Sequence, residues 1–127
     1  MFEKLELIQM AQSLAAQSGA RMAVIAENVA NADTPGHKAK DLPSFAEAYA
    51  ADPGEMRRSR PGHLNGSSTT TTRMPERSRG QESPNGNSVS LEAEMVKSVE
   101  ARQNHDMALA IYRASSDVIR ASLGRNR

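Results

Sequence analysis

The residues best suited to metal binding or proton transfer are three histidines, His37, His63 and His105. They stand far apart and no cysteine accompanies them, so their spacing gives no compact metal motif and excludes thiol chemistry. Hydroxyl nucleophiles are plentiful, but they crowd the polar middle segment, as in Ser67-Ser68-Thr69-Thr70-Thr71-Thr72, where nothing would hold one against a base. There is no Gly-rich phosphate loop and no nucleophile elbow. Arg102 and His105 could be ligands or catalytic groups; their place in a helical stripe favours polar seam positions that set register. Arg57, Arg58, Arg60, Arg73, Arg77 and Arg79 could attract phosphates. They lack aromatic interleaving and any helix-turn-helix or zinc pattern, so a solvated linker is the better reading. Asn65-Gly66-Ser67 fits a glycosylation acceptor, and a turn in a polar linker explains it as well. The chain therefore reads as a non-enzyme, with no cofactor and no metal.

The densest patterning is conformational. Upstream of Ala30 there is no proline and only one glycine, and the helical pattern stops at Asn28-Val29-Ala30-Asn31-Ala32-Asp33-Thr34-Pro35-Gly36. Asn31 can cap a helix C-terminus in the left-handed region, and Asp33 can bond back to the following backbone. Thr34 precedes a proline and is pushed towards extended geometry, while Pro35-Gly36 joins a fixed φ to a residue that accepts φ > 0.

Two helices must position this turn. Ile8, Ala11, Ala15, Ser18, Met22, Ile25 and Val29 recur at three- and four-residue steps, predicting a helix over about 2–30 that would be roughly 45 Å long. Leu91, Met95, Ser98, Arg102, His105, Leu109, Tyr112, Ser116, Ile119 and Leu123 form a second stripe, with Ser90 as N-cap and Glu92 and Glu94 in its first turn. Arg120, Gly124 and Arg125 are its stop signals. Ser44 is placed to open a short helix through Phe45 and Tyr49. Between these, residues 51–87 carry most of the Pro, Gly, Ser and Thr and few apolar side chains, predicting a disordered basic linker.

The expected architecture is all-α. Residues 1–50 hold the first helix, the turn and the short helix; 51–87 the linker; 88–127 the last helix, which packs with the first as an antiparallel, coiled-coil-like pair. With 127 residues, 3% aromatic content, no Trp and seven Met, a large self-sufficient core is not expected. A net charge of +1 excludes a strongly basic or acidic whole-chain role. No apolar run reaches the roughly 20 residues of a membrane span, and Met1 to Glu6 does not read as a cleavable signal.

The segment Asn28 to Gly36, continued by His37-Lys38-Ala39-Lys40-Asp41, closely resembles the N-terminal signature of bacterial flagellar basal-body rod, hook and hook-filament axial proteins. Asn85-Gly86-Asn87-Ser88-Val89-Ser90-Leu91-Glu92-Ala93-Glu94-Met95 is similar to the opening of the C-terminal helix in the proximal-rod members. His37 stands where the family usually has Tyr or Phe. The resemblance covers about residues 1–50 and 85–123 and implies a structural subunit of the proximal rod, needed for motility. Such a subunit is exported by the flagellar type III apparatus without a cleaved signal and polymerises through its terminal helices in the periplasmic part of the basal body. The implied partners are rod proteins such as FlgC and FlgF, the MS-ring adaptor FliE, and copies of itself; no nucleic acid and no membrane span are implied. The implied assembly motif is Asn28, Ala30, Asn31, Asp33, Thr34, Pro35, Gly36, Lys38 and Asp41; the physical role expected of Asn28 and Asn31 is to satisfy helix-end carbonyls and touch a neighbouring subunit. The helix seams are Ile8, Ala15, Met22, Ile25, Val29, Leu91, Met95, Leu109, Tyr112 and Ile119. Other readings are a small helical adaptor or secretion chaperone with a basic arm, and a DNA-associated helical protein.

Overall fold

The computed structural model describes residues 2–50, 75–78 and 81–124. The expected disorder of residues 51–74, the Asn65-Gly66-Ser67 triplet, His63 and the stop signal Arg125 lie outside these described residues. Five elements follow in chain order: α1 (Phe2–Ala30), β1 (Lys40–Asp41), α2 (Phe45–Ala50), β2 (Glu76–Arg77) and α3 (Leu91–Gly124).

Two long helices make the frame. At 29 and 34 residues, they extend about 43 and 51 Å. Asn28 meets Glu94 across the pair, and Arg21 meets Glu100, so stepping back along α1 means stepping forward along α3. The pair is therefore antiparallel.

The line of closest packing is narrow. On α1 it follows Ala11, Ser18 and Ile25; on α3 it follows Glu94, Ala101 and Ala108, all buried and spaced by seven. Seven residues are close to two helical turns, which keeps each set on one side of its helix. Small side chains dominate the line and let the two backbones approach.

This line on α3 runs one residue earlier than the stripe read from the sequence. Met95 is 62% exposed where Glu94 is buried, Arg102 is exposed where Ala101 is buried, and Leu109 is half-buried where Ala108 is buried. One residue turns a helix by about 100°, so the large apolar side chains lie beside the contact with α1. The physical reason is size: close approach selects the alanines, whereas periodicity alone favours the larger groups.

Helix starts follow their caps. Ser44 and Glu47 form a reciprocal box at α2, with Ser44 N–H donating to Glu47 Oε2 at 2.9 Å and Glu47 N–H to Ser44 Oγ at 3.3 Å. Phe45 and Tyr49, one turn apart on α2, bring their ring centroids to 5.6 Å. Ser90 Oγ accepts from Ala93 N–H at 3.4 Å in the first turn of α3.

The remaining segments tie one end of the helix pair. β1 pairs antiparallel with β2, Lys40 opposite Arg77 and Asp41 opposite Glu76. Ser78 N–H continues that ladder to Ala39 O at 2.8 Å, and Gly86 N–H closes a turn on Ser83 O at 2.8 Å. Residues 76–78 and 83–87 thus take defined hydrogen bonds, unlike the disorder expected through residue 87. Pairing of 76–78 with 39–41, and bonds of Asn85 and Asn87 to the turn after α1, hold them, and composition does not register such pairing. Ala39 and Leu42 are buried beneath this layer with Val24 and Ile25.

Candidate assembly site

The end of α1 tightens before it turns. Asn31 N–H reaches Glu27 O at 3.2 Å and Asn28 O at 3.1 Å, Ala32 N–H reaches Val29 O at 3.2 Å, and Thr34 N–H reaches Asn31 O at 3.0 Å. Such short-range bonds satisfy helix-end carbonyls without a left-handed cap. Among the described residues only glycines have positive φ, so Asn31 is not the left-handed residue expected from its type. It caps by its side chain instead, Nδ2 donating to Glu27 O at 2.8 Å while Oδ1 accepts from Thr34 Oγ1 at 3.2 Å. Gly36 turns the chain with φ 76°, a conformation costly for any residue with a Cβ.

Asn28 departs further from expectation. It is fully buried and therefore unavailable to a neighbouring subunit. Its amide imitates a strand: Oδ1 accepts from Lys40 N–H at 3.1 Å and Nδ2 donates to Lys40 O at 2.6 Å. The same Nδ2 also donates to Glu94 Oε2 at 2.9 Å. One side chain at the end of α1 thus fixes both the returning strand and the start of α3.

Glu94 is 1% exposed. A carboxylate so placed must be paired, and besides Asn28 it accepts from Lys97 Nζ at 2.8 Å. Lys97 Nζ also lies 3.3 Å from Asp41 Oδ2. Arg21 grips Asp41 with two bonds, Nε to Oδ1 at 3.0 Å and Nη2 to Oδ2 at 3.3 Å. Burial pushes the Asp41 carboxyl up, but the Arg21 hydrogen bond and charge, the Lys97 charge and the Leu42 amide outweigh it and hold it below its ordinary value. Burial likewise pulls Lys97 down, and its bonds and charges with Glu94 and Asp41 more than reverse that. The Asp41 hydrogen bond, working against burial, keeps Arg21 protonated beyond an ordinary arginine. The four charges sit as alternating neighbours.

Of the other motif residues, Ala30, Asp33, Thr34, Pro35 and Gly36 are exposed along the outer side of the turn. Lys38 is half-buried and pairs with Glu82. His37 is half-buried, and its Nε2 has no hydrogen-bond partner among the described residues. Among the seam residues Ile25 is buried, and Ile8, Ala15, Met22, Leu109 and Ile119 are half-buried at the helix contact. Val29, Leu91, Met95 and Tyr112 are exposed at 40%, 45%, 62% and 40%. Of the stripe's polar pair, Arg102 is exposed and His105 half-buried, its Nδ1 3.9 Å from Asp106 Oδ1.

Sequence reading missed Arg21, Lys97, Glu94 as a buried group, and above all Asn87. Asn87 is 2% exposed, and its Nδ2 lies 3.0, 2.7 and 2.9 Å from the carbonyls of Asn31, Ala32 and Thr34. The signal was present in the Asn85-Gly86-Asn87 triplet, an unusual density of turn formers immediately before an N-cap.

Among the described residues no group of three or more His, Asp or Glu could hold a metal ion, and no helix is long and apolar enough to cross a membrane. The arrangement holds a backbone shape. Residues 8–38, ending inside this turn, match the family described as "Flagella basal body rod protein". The chain is also 32% identical, over 121 residues and 88% of either chain, to the flagellar basal body rod protein FlgB of Agrobacterium fabrum strain C58. The chain belongs to the flagellar basal-body rod protein family. A structural, basal-body role follows from that membership, and the family match spans the tightened end of α1 through Lys38. Asp41, Asn87 and Glu94, which hold the turn, lie outside that matched stretch.

Proposed function

We propose that this chain is a subunit of the proximal rod, exported by the flagellar type III apparatus and polymerised through the outer faces of its helix pair. The observation that carries the reading is the apolar row Leu91, Met95 and Val99 on α3, 45%, 62% and 66% exposed, with Val96 beside it at 62%. These residues recur every four positions and so share one face of α3, turned away from α1. A contiguous apolar face beside a rigid polar turn suits burial against another helical subunit better than exposure to water. The proposed neighbours are copies of this chain, rod proteins of the FlgC and FlgF type, and FliE at the base of the rod in the periplasm.

Val99→Lys tests this. The substitution removes no intramolecular contact of weight, so the chain's own stability should stay within about 0.5 kcal/mol. Cells carrying it should make the protein at normal levels yet build no rod and fail to swim. Normal motility and wild-type yields of hook–basal bodies would refute assembly through this face.

A further inference from the structure

The signature turn after α1 is not self-contained. Its local bonds close only the stretch from Glu27 to Thr34, apart from a weak contact of His37 N–H with Thr34 O at 3.3 Å. Beyond Thr34, the stretch from Gly36 to Ala39 takes three of its bonds from the segment 85–88, while Asn28 and β2 hold the strand that follows. Gly36 N–H donates to Asn85 O at 3.1 Å, Ser88 N–H donates to His37 O at 3.0 Å, and Ala39 N–H donates to Ser88 Oγ at 2.9 Å. Asn87 Nδ2 spans the carbonyls of Asn31, Ala32 and Thr34, while its Oδ1 accepts from Val89 N–H at 2.7 Å. Gly86 lies against Gly36, so that a Cβ at Gly86 would stand 3.5 Å from Gly36 Cα, and Gly86 itself has φ 81°.

We infer that the turn is a two-part latch whose closing half is residues 85–88, with Asn87 as its positioning residue. Without that half, the carbonyls of Asn31, Ala32 and Thr34 lose a common donor, and the amides of Gly36 and Ala39 lose their acceptors. The α1 helix keeps its own bonds, but the turn surface has no single shape. The latch therefore ties the form of the N-terminal signature to docking of the segment that precedes α3. Resting on the proposed rod assembly, this has a direct consequence. A chain whose residues 85–88 are not docked carries residues 28–41 without their partner, so the turn beside the proposed assembly face takes its shape only when both ends are paired. A subunit cannot present half of its joint.

The substitution Asn87→Asp keeps the side-chain size, removes both amide donors and sets a carboxylate against three carbonyl oxygens. Gly86→Ala opens the same latch by another route, since its positive φ strains any residue with a Cβ. Amide hydrogen exchange on the full chain reads the result, with the mid-helix amides of Ser18, Ala101 and Ala108 in the same sample as reference. In both variants exchange at Gly36, Ala39 and Ser88 should accelerate at least tenfold relative to those references. Unchanged protection at Gly36 and Ala39 would overturn the latch, as would an equal loss at the reference amides, which would make Asn87 a residue of general stability. These readouts need no rod, so they separate failure of the latch from failure of the assembly reading, which Val99→Lys tests alone.

Discussion

The two ends of the helix pair are held by opposite means. Where α1 ends and α3 begins, the contact is polar and directional: Asn28, Glu94, Lys97, Asp41 and Arg21 interlock within bonds of 2.8 to 3.3 Å. Towards the far end, Ala11 and Ala108 are buried at 3% and 0%, and small side chains pack closely. The first kind of contact fixes register and direction, because a slip by one residue would strand a buried carboxylate. The second tolerates sliding better, since one alanine resembles the next. Together they give a joint that is defined at its turn and adaptable along its length.

The largest effect should come from breaking the polar end. Asn28→Leu leaves both backbone groups of Lys40 unpaired and Glu94 buried with Lys97 as its remaining donor. Each stranded group costs about 1–3 kcal/mol and the loss of a buried partner compounds it, so we expect a destabilisation of about 3 kcal/mol or more. Urea unfolding followed by circular dichroism measures it. A loss below about 1 kcal/mol would mean that the buried amide is replaceable by packing and that the contrast between the two ends is one of appearance.

The intermediate effect belongs to the far end. Ala108→Leu forces added volume into the line opposite Ala11, at a cost of about 1–3 kcal/mol. Its signature should be local: distances between spin labels on the far halves of α1 and α3 should widen, while the Lys40 amide, bonded to Asn28 Oδ1, stays protected. Equal loss of protection at Lys40 would show that the two ends act as one unit.

Much of this division was legible in the sequence. The two helices, the Ser44 and Ser90 starts and the turn at 28–36 follow from spacing and residue type, because helix caps and breakers act over three or four residues. The burial of Glu94 was not legible. A glutamate in a first helical turn is ordinarily explained by the helix dipole, and only the distant Asn28 and Lys97 reveal another role. The line on α3 that meets α1 was not legible for a related reason. Ala101 and Ala108 are inconspicuous in a hydrophobic pattern, yet their smallness is what brings the helices together. Asn87 escaped because its partners, Asn31, Ala32 and Thr34, lie on the other side of the polar middle. Contacts that join separated segments leave only residue types behind in a sequence, never their pairing.

The smallest effect expected is on pH dependence, and it sharpens what the charges contribute at the polar end. Asp41 is held below the ordinary carboxylate value because Arg21 and Lys97 together outweigh its burial. A carboxyl whose folded value is depressed binds protons more readily in the unfolded chain. Its stabilisation is therefore complete above the unfolded value, about 3.9, and is lost as pH falls through the lower folded value. Lys97 and Arg21 are shifted the other way, upward, so their share is complete at neutral pH and fades only in strong alkali, above roughly 10 for lysine. Asp41→Asn should accordingly lower stability at pH 7 by on the order of 1 kcal/mol, since the side chain is partly open to solvent. It should also flatten the acid limb of the stability curve below about pH 4. Melting temperatures of wild type and variant, compared from pH 7 down to 3, read both effects. If the two curves run parallel into acid, Asp41 does not carry the acid sensitivity of the joint, and its bonds with Arg21 hold shape without holding charge.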